Sequence, residues 1–374
     1  MAGARLTIDL DAIVANYRLL SDLDARTECA AVVKADAYGL GADRVAPALA
    51  AAGCRTFFVA QVEEGIRLRA LLPEADIHVL NGLPPHPGTE RVFDAHTLIP
   101  VLNSLGDVDR WAKHVRAGGA TTATLHIDTG MCRLGLSGDE LAALAADPGR
   151  VGGTEITLVM SHLACADEPD HPMNAKQLAK FRAALDRLPW GVSPWGRTSL
   201  ANSSGLFLGP HYRMDLARPG VSLYGGTPNP ALPNPLAPVV RLQGKIVQLR
   251  DVDSPQTVGY GATHQVTGPR RLATVPVGYA DGFLRSLSGR GTAFIGDRPV
   301  PIVGRVSMDL ITLDVTDIPA AECHPGALVD LIGPHNPIDA VAAQAGTIGY
   351  EILTSLGARY HRDYVGGGRG GQDR

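Results

Sequence analysis

CAAVVKADAYGLG, residues 29–41, sets an unbroken apolar run against a lysine, a tyrosine and glycines. The run has the length and composition of a buried strand, and Lys34 stands at its carboxyl end. A lysine in that place is partly desolvated, which weakens its preference for the charged form and suits it to imine formation or base chemistry. Strand-end lysines without such a role are common in α/β proteins, so the segment has to be read with its neighbours.

Outward from it the pattern repeats. A strand-like opening at 6–10 and a helical stretch at 11–22 come first. Apolar runs then follow at 29–34, 56–60, 76–80, 97–101, 123–128, 156–161, 197–201 and 213–217. Helical patterns at 43–52, 61–71, 105–116 and 174–188 lie between them. Eight strands alternating with helices predict an α/β protein with an N-terminal (β/α)8 TIM barrel; a doubly wound open sheet is the competing architecture. The stretch TPNPALPNPLAP at 227–238 holds five prolines in twelve residues, which neither a helix nor a central strand accommodates. The expected division is therefore a barrel over 1–230, with 1–10 free to pack on the other domain, and a mainly antiparallel β domain over 231–365. That second domain reads as short β runs at 239–248, 271–277, 292–295, 300–303, 311–315 and 328–332, with a helix over 347–356. The glycine-rich end, 366–374, has nothing apolar to bury and reads as a flexible tail.

The 374 residues are 45% apolar and 19% charged with a net charge of −4, a balance that calls for neither nucleic acid nor a membrane surface. Cys29, Cys54, Cys132, Cys165 and Cys323 are odd in number and form no CxxC pair, which favours a reducing, cytoplasmic setting. The first residues lack a basic region followed by an apolar one, and no stretch is long and apolar enough to span a bilayer. No metal centre is expected.

In a barrel of this kind chemistry gathers at the carboxyl ends of the strands. Lys34 closes the first strand, Arg133 follows the fifth, His162 the sixth, Asn202 and Ser203 the seventh, and Arg218 the eighth. Turns after the last two strands commonly bind phosphate, and here they offer Ser203, Ser204 and the amides of Gly220 and Val221. An amine beside a phosphate cradle points to pyridoxal phosphate. The plainer readings are a helix cap for Ser203 and Ser204 and an ordinary strand-end histidine for His162.

Val33-Lys34-Ala-Asp-Ala-Tyr38-Gly resembles the cofactor-attachment signature of bacterial alanine racemases. Asp128-Thr-Gly-Met, Ser161-His162, Ala201-Asn-Ser203, Arg218-Pro-Gly220-Val, Val258-Gly-Tyr260-Gly-Ala-Thr, Val277-Gly-Tyr279-Ala-Asp-Gly282 and Val303-Gly-Arg305-Val-Ser-Met308-Asp309 follow in the family's order. The resemblance implies a pyridoxal phosphate enzyme that interconverts L- and D-alanine as a head-to-tail homodimer. Lys34 and Tyr260 of the partner subunit are then the opposing bases. Tyr38, Ser203, Gly220 and Val221 hold the phosphate together with Asn202 of the same turn, His162 lies by the pyridine ring, and Arg218 faces the ring nitrogen. Arg133 and the Met308 amide take the substrate carboxylate, and Asp167, Tyr279, Arg285 and Arg305 line the entry corridor. Supply of D-alanine for cell-wall precursors is the role implied.

Two departures stand out. Many family members carry a modified lysine two positions before the Asp-Thr-Gly-Met motif, where this chain has His126. Arg133 then needs another partner, either an anion such as chloride or the neutral His126 imidazole. Ala358 occupies what reads as the position of a phosphate-reaching tyrosine, so a wider pocket is expected. The alternatives are a broader racemase accepting serine, a non-catalytic cofactor-binding barrel, and a decarboxylase. The last requires a catalytic cysteine in the second domain, where Cys323 in Glu322-Cys-His-Pro-Gly reads as part of a surface turn.

Overall fold

The computed structural model describes residues 3–188 and 196–367; positions 368–374 of the expected tail lie outside them. Seven parallel strands follow one another in chain order: Ala31–Val32, Thr56–Val59, Asp76–Val79, Ile99–Leu102, Thr122–His126, Glu155–Met160 and Arg197–Ser199. Leu216–Ala217 pairs in parallel with Glu28–Cys29, which runs through Ala30 into the first of the seven. Asp215 and Arg218 donate backbone hydrogen bonds to the carbonyls of Thr198 and Ala201 at 3.1 and 2.9 Å, so this eighth strand closes the ring. Every residue of Thr56–Val59 is buried, as a strand covered on both sides requires.

The helices outside the ring carry their own start signals. The Ser104 hydroxyl accepts from the Asp107 amide at 3.1 Å to begin Leu105–Arg116, which turns Val108, Trp111 and Ala112 inward. Helices Thr89–Ala95 and Gly138–Ala146, not anticipated from periodicity, complete the alternation. Each is short, and the second is specified by a Ser137/Glu140 capping box more than by an apolar stripe.

The second domain is a nine-stranded sheet in the order Gln248–Val252, Arg270–Val275, Ile311–Asp314, Arg298–Val303, Thr292–Ile295, Leu328–Ile332, Val240–Lys245, Ala4–Asp9, His361–Val365. All its pairings are antiparallel except the last. The chain's opening strand therefore sits in the second domain, between Val240–Lys245 and His361–Val365. Asp9 ends that strand, and its carboxylate accepts from the Ala12 amide at 2.9 Å to start helix Leu10–Ser21 of the barrel layer. Asn16, fully buried on that helix, exchanges hydrogen bonds of 3.0 and 2.8 Å with the backbone of Ala237, tying down the proline-rich stretch. Between Val221–Tyr224 and Val240–Lys245 there is no helix or strand. The Gly367 amide donates to Asp11 at 2.9 Å. No described helix is long and apolar enough to cross a membrane.

Two local expectations change. The run 29–34 is not one strand: Ala30 interrupts it, and Lys34 begins a turn instead of ending a strand. Cys323 is not a surface residue but is 1% exposed, with burial pushing its thiol up and so making it less reactive.

Leu6 is wholly buried in the strand shared by the two halves of the chain. Leu6→Ala is expected to cost about 2–5 kcal/mol in chemical denaturation, the range for truncating a buried leucine. A cost under about 1 kcal/mol would mean the opening strand is peripheral.

Candidate active site

A cavity of about 320 Å³ opens at the carboxyl ends of the barrel strands. Lys34, Tyr38, His126, Arg133, His162, Asn202, Ser203, Arg218, Gly220 and Val221 all line it, so residues from five separate loops meet as the barrel rule requires. Among the described residues Lys34, Arg133 and Arg218 give it three cationic side chains, and no carboxylate lines it.

Lys34 enters the cavity on an unusual backbone. Ala35, Asp36, Ala37 and Tyr38 have φ of 53, 55, 53 and 57°, a left-handed turn built without glycine. Left-handed helical geometry costs an L-residue roughly 1–2 kcal/mol, so the surroundings must impose it. They do so through several contacts. The Ala35 amide donates to Glu64 at 2.7 Å and the Ala42 amide to Asp36 at 2.8 Å. Arg362 and Tyr364 of the final strand donate to the carbonyls of Gly39 and Leu40 at 2.7 and 2.9 Å. Burial, reinforced by the nearby Arg133 charge, lowers the Lys34 amine below its ordinary range, while Glu64 acts in the opposite direction.

The seventh and eighth loops are stitched together by Ser203, whose hydroxyl accepts from the Gly220 and Ser222 amides at 2.9 and 3.2 Å. The helix-cap reading belongs instead to Asn202, whose side-chain oxygen accepts from the Gly205 amide at 2.9 Å. Gly220 is required by proximity: a Cβ there would lie 2.1 Å from the Tyr38 phenolic oxygen. Tyr38 is buried and packs on Tyr224 and Tyr350, with ring centroids 4.7 and 5.9 Å apart. A hydroxyl, a phenol and adjacent amides therefore converge within one glycine-sized gap.

Arg218 is 4% exposed and donates to the Ser199 hydroxyl and the Ser161 carbonyl, with no carboxylate partner among the described residues. Burial alone pulls it down to about 10, which leaves it charged at neutral pH. Burial first, then Arg218, Arg133 and Lys34, hold His162 well below the usual histidine range, so it is neutral. No hydrogen bond joins His162 to Arg218 among the described residues; their coupling is through the field.

Arg133 projects from a loop shaped by Asp128, whose carboxylate accepts from the amides of Gly130, Met131 and Cys132 at 2.9, 2.9 and 3.1 Å. His126 is buried, and its Nδ1 lies 2.7 Å from the Asn103 side-chain oxygen. The Asn103 amide nitrogen is committed to the carbonyls of Leu80 and Val101, so its oxygen must face His126 and Nδ1 must carry the proton. Nε2 is left an acceptor. Burial and then the Arg218 charge take this histidine down to about 4. His126 and Arg133 line one cavity without a hydrogen bond between them.

Six expected residues do not line this cavity. Tyr260, Tyr279 and Met308 are 72, 43 and 53% exposed, and Asp167, Arg285 and Arg305 are also exposed. Four of them nevertheless gather on one face of the second domain. The Tyr279 and Ala280 amides donate to the Ser307 and Met308 carbonyls at 3.1 and 3.0 Å, and the Arg305 guanidinium lies beside Gly261, next to Tyr260. A Cβ at Gly278 would sit 2.3 Å from both carbonyls, so only glycine allows this approach. Tyr350 lines the cavity and went unnoticed in the sequence. An aromatic at the start of a short helix, in Gly349–Ser355, was the available signal. Ala358 is exposed and does not line the cavity, so its small side chain does not widen it; Tyr350 lines it beside Tyr38.

The family model for the alanine racemase N-terminal domain matches residues 8–228, and that for the C-terminal domain matches 239–364. An alanine racemase of Rhodospirillum rubrum is 55% identical over 98% of this chain and 96% of its own length. A catabolic alanine racemase of Agrobacterium fabrum is 50% identical over 97% and 92%. The crystal structure of alanine racemase from Bartonella henselae, with covalently bound pyridoxal phosphate, superposes with a TM-score of 0.92 at 45% identity, covering 98% of this chain and all of that one. With both family models matched and more than half its residues shared with a relative of nearly equal length, this chain belongs to the alanine racemase family.

Proposed function

We propose that this chain is a pyridoxal phosphate-dependent racemase that interconverts L- and D-alanine, using Lys34 and Tyr260 of the partner subunit as bases on opposite faces of the substrate. The observation that carries it is the cavity's charge: three cationic side chains without a carboxylate form a site incomplete until anions enter. The phosphate and carboxylates of cofactor and substrate are such anions. When bound, pyridoxal phosphate supplies the electron sink that makes the substrate Cα–H acidic.

The chain's residues divide the remaining work. Lys34 carries the cofactor through its amine and, once substrate has taken its place there, exchanges a proton with one face of Cα. Its lowered basicity leaves more neutral amine at neutral pH, the form that both steps need. Tyr38, Ser203, Gly220 and Val221, with Asn202 fixing their turn, hold the phosphate. His162, neutral, packs by the pyridine ring. Arg218 donates to the ring nitrogen and, charged at neutral pH, withholds a proton from it, which favours return of the proton to Cα over transamination.

Tyr260, Tyr279, Met308 and Arg305 form an exposed face of the second domain, which fits a head-to-tail homodimer whose second domain completes its neighbour's cavity. Met308 and Arg133 then take the substrate carboxylate, and Tyr279, Arg305, Asp167 and Arg285 restrict entry. A cytoplasmic setting and a role in D-alanine supply for peptidoglycan precursors go with this reading. For Arg133 to take the unprotonated His126 Nε2 as its acceptor the guanidinium has to turn toward it, since no hydrogen bond joins the two among the described residues; an anion such as chloride is the competing partner.

Purified protein is expected to show a lysine–cofactor absorption band and to racemise L-alanine well ahead of L-serine. Loss of the band in Lys34→Ala is the expected control, and a wild-type protein with no band sinks the proposal. His126→Phe should raise KM for alanine about tenfold with a smaller effect on kcat, as removing the partner of a positioned ligand does. Wild-type racemisation should be insensitive to chloride; a steep chloride dependence would instead favour the anion.

A further inference from the structure

Glu64 has two jobs, of which only one belongs to its own helix. As the third residue of helix Val62–Leu71 it closes a capping box: one carboxylate oxygen accepts from the Ala60 and Gln61 amides at 2.8 and 3.0 Å. A cap needs no more. The other oxygen reaches to another strand's loop and accepts from the Ala35 amide at 2.7 Å, the first residue of the left-handed turn and the one next to Lys34. The far end of that turn is tied elsewhere, through Asp36, Arg362 and Tyr364. Near Lys34 itself, Glu64 is the side chain that anchors the strained backbone.

We propose that Glu64 is a positioning residue for Lys34: it fixes the onset of the left-handed turn, aims the lysine into the cavity, and brings a negative charge to that side of it. The inference rests on Lys34 being the cofactor lysine. The other charges around the amine are Arg133 on the fifth loop and Arg218 on the eighth, with neutral His162 and His126 beside them. Asp36, Asp43 and Arg67 lie with Glu64 on the outer side of the turn. Glu64→Gln keeps the shape but leaves one oxygen for two tasks and turns an NH2 toward backbone donors.

The test follows attachment of pyridoxal phosphate to the apoprotein across pH, read as growth of the lysine–cofactor band, with wild type, Lys34→Ala, Glu64→Gln and Glu64→Asp. Glu64→Gln should attach about tenfold more slowly, the order of cost for a misaimed reacting group, and its pH profile should move to lower pH because a charge favouring the protonated amine is gone. Glu64→Asp keeps the charge on a shorter arm, so its rate should fall while its profile stays near wild type. A residue that merely capped its helix would lower Tm and leave both profiles untouched, which overturns the proposal. If Glu64→Gln does not fold, Glu64→Asp decides: a wild-type attachment rate contradicts the aiming role. A band absent from wild type, or persisting in Lys34→Ala, refutes the reading of Lys34 instead.

Discussion

The site depends on one electrostatic constraint, a buried guanidinium with no carboxylate to answer it. A buried ion costs several kcal/mol unless paired, and Arg218 meets only a hydroxyl and a carbonyl. Burial, reinforced by its field and that of Arg133, keeps His162 and His126 neutral, while burial and Arg133 make Lys34 a weaker base. The barrel supports the arrangement because its strands bring five loops to one rim, and its core absorbs the desolvation. Such a cavity is designed for an anionic occupant.

Strain is the second theme. Four consecutive non-glycine residues in left-handed geometry persist only because contacts from a barrel helix and from the last strand of the second domain hold them. The position of Lys34 thus depends on both halves of the chain, and so does the fold: the opening strand is laid into the second domain's sheet before the chain enters the barrel.

Much of this was legible in the sequence. Apolar runs separated by helical patterns marked the barrel, and polar residues placed after those runs do line the cavity. Strand edges were less legible: Ala30 and Lys34 look like a continuing strand because Ala-Asp-Ala-Tyr carries no glycine to announce a left-handed turn. Tyr350 escaped notice because helical periodicity gives no reason to expect a first-turn aromatic to reach another domain's rim. Cys323 was misjudged because its neighbours form a turn, and turn chemistry says nothing of which side chain points inward. Tyr260 and Met308 could be named only through the family resemblance. Within one chain they are simply exposed, and a residue whose proposed work lies in another copy's cavity carries no local signature.

Lys34 of one subunit and Tyr260 of the other are proposed to act together in one site. Lys34→Ala and Tyr260→Phe subunits, each inactive alone, are to be mixed or co-expressed so that heterodimers form, and alanine racemisation measured. Sharing in trans leaves one site of each heterodimer with both bases intact, so activity should return. Verified heterodimers that remain inactive would contradict sharing in trans, because two bases drawn from the same chain cannot complement each other.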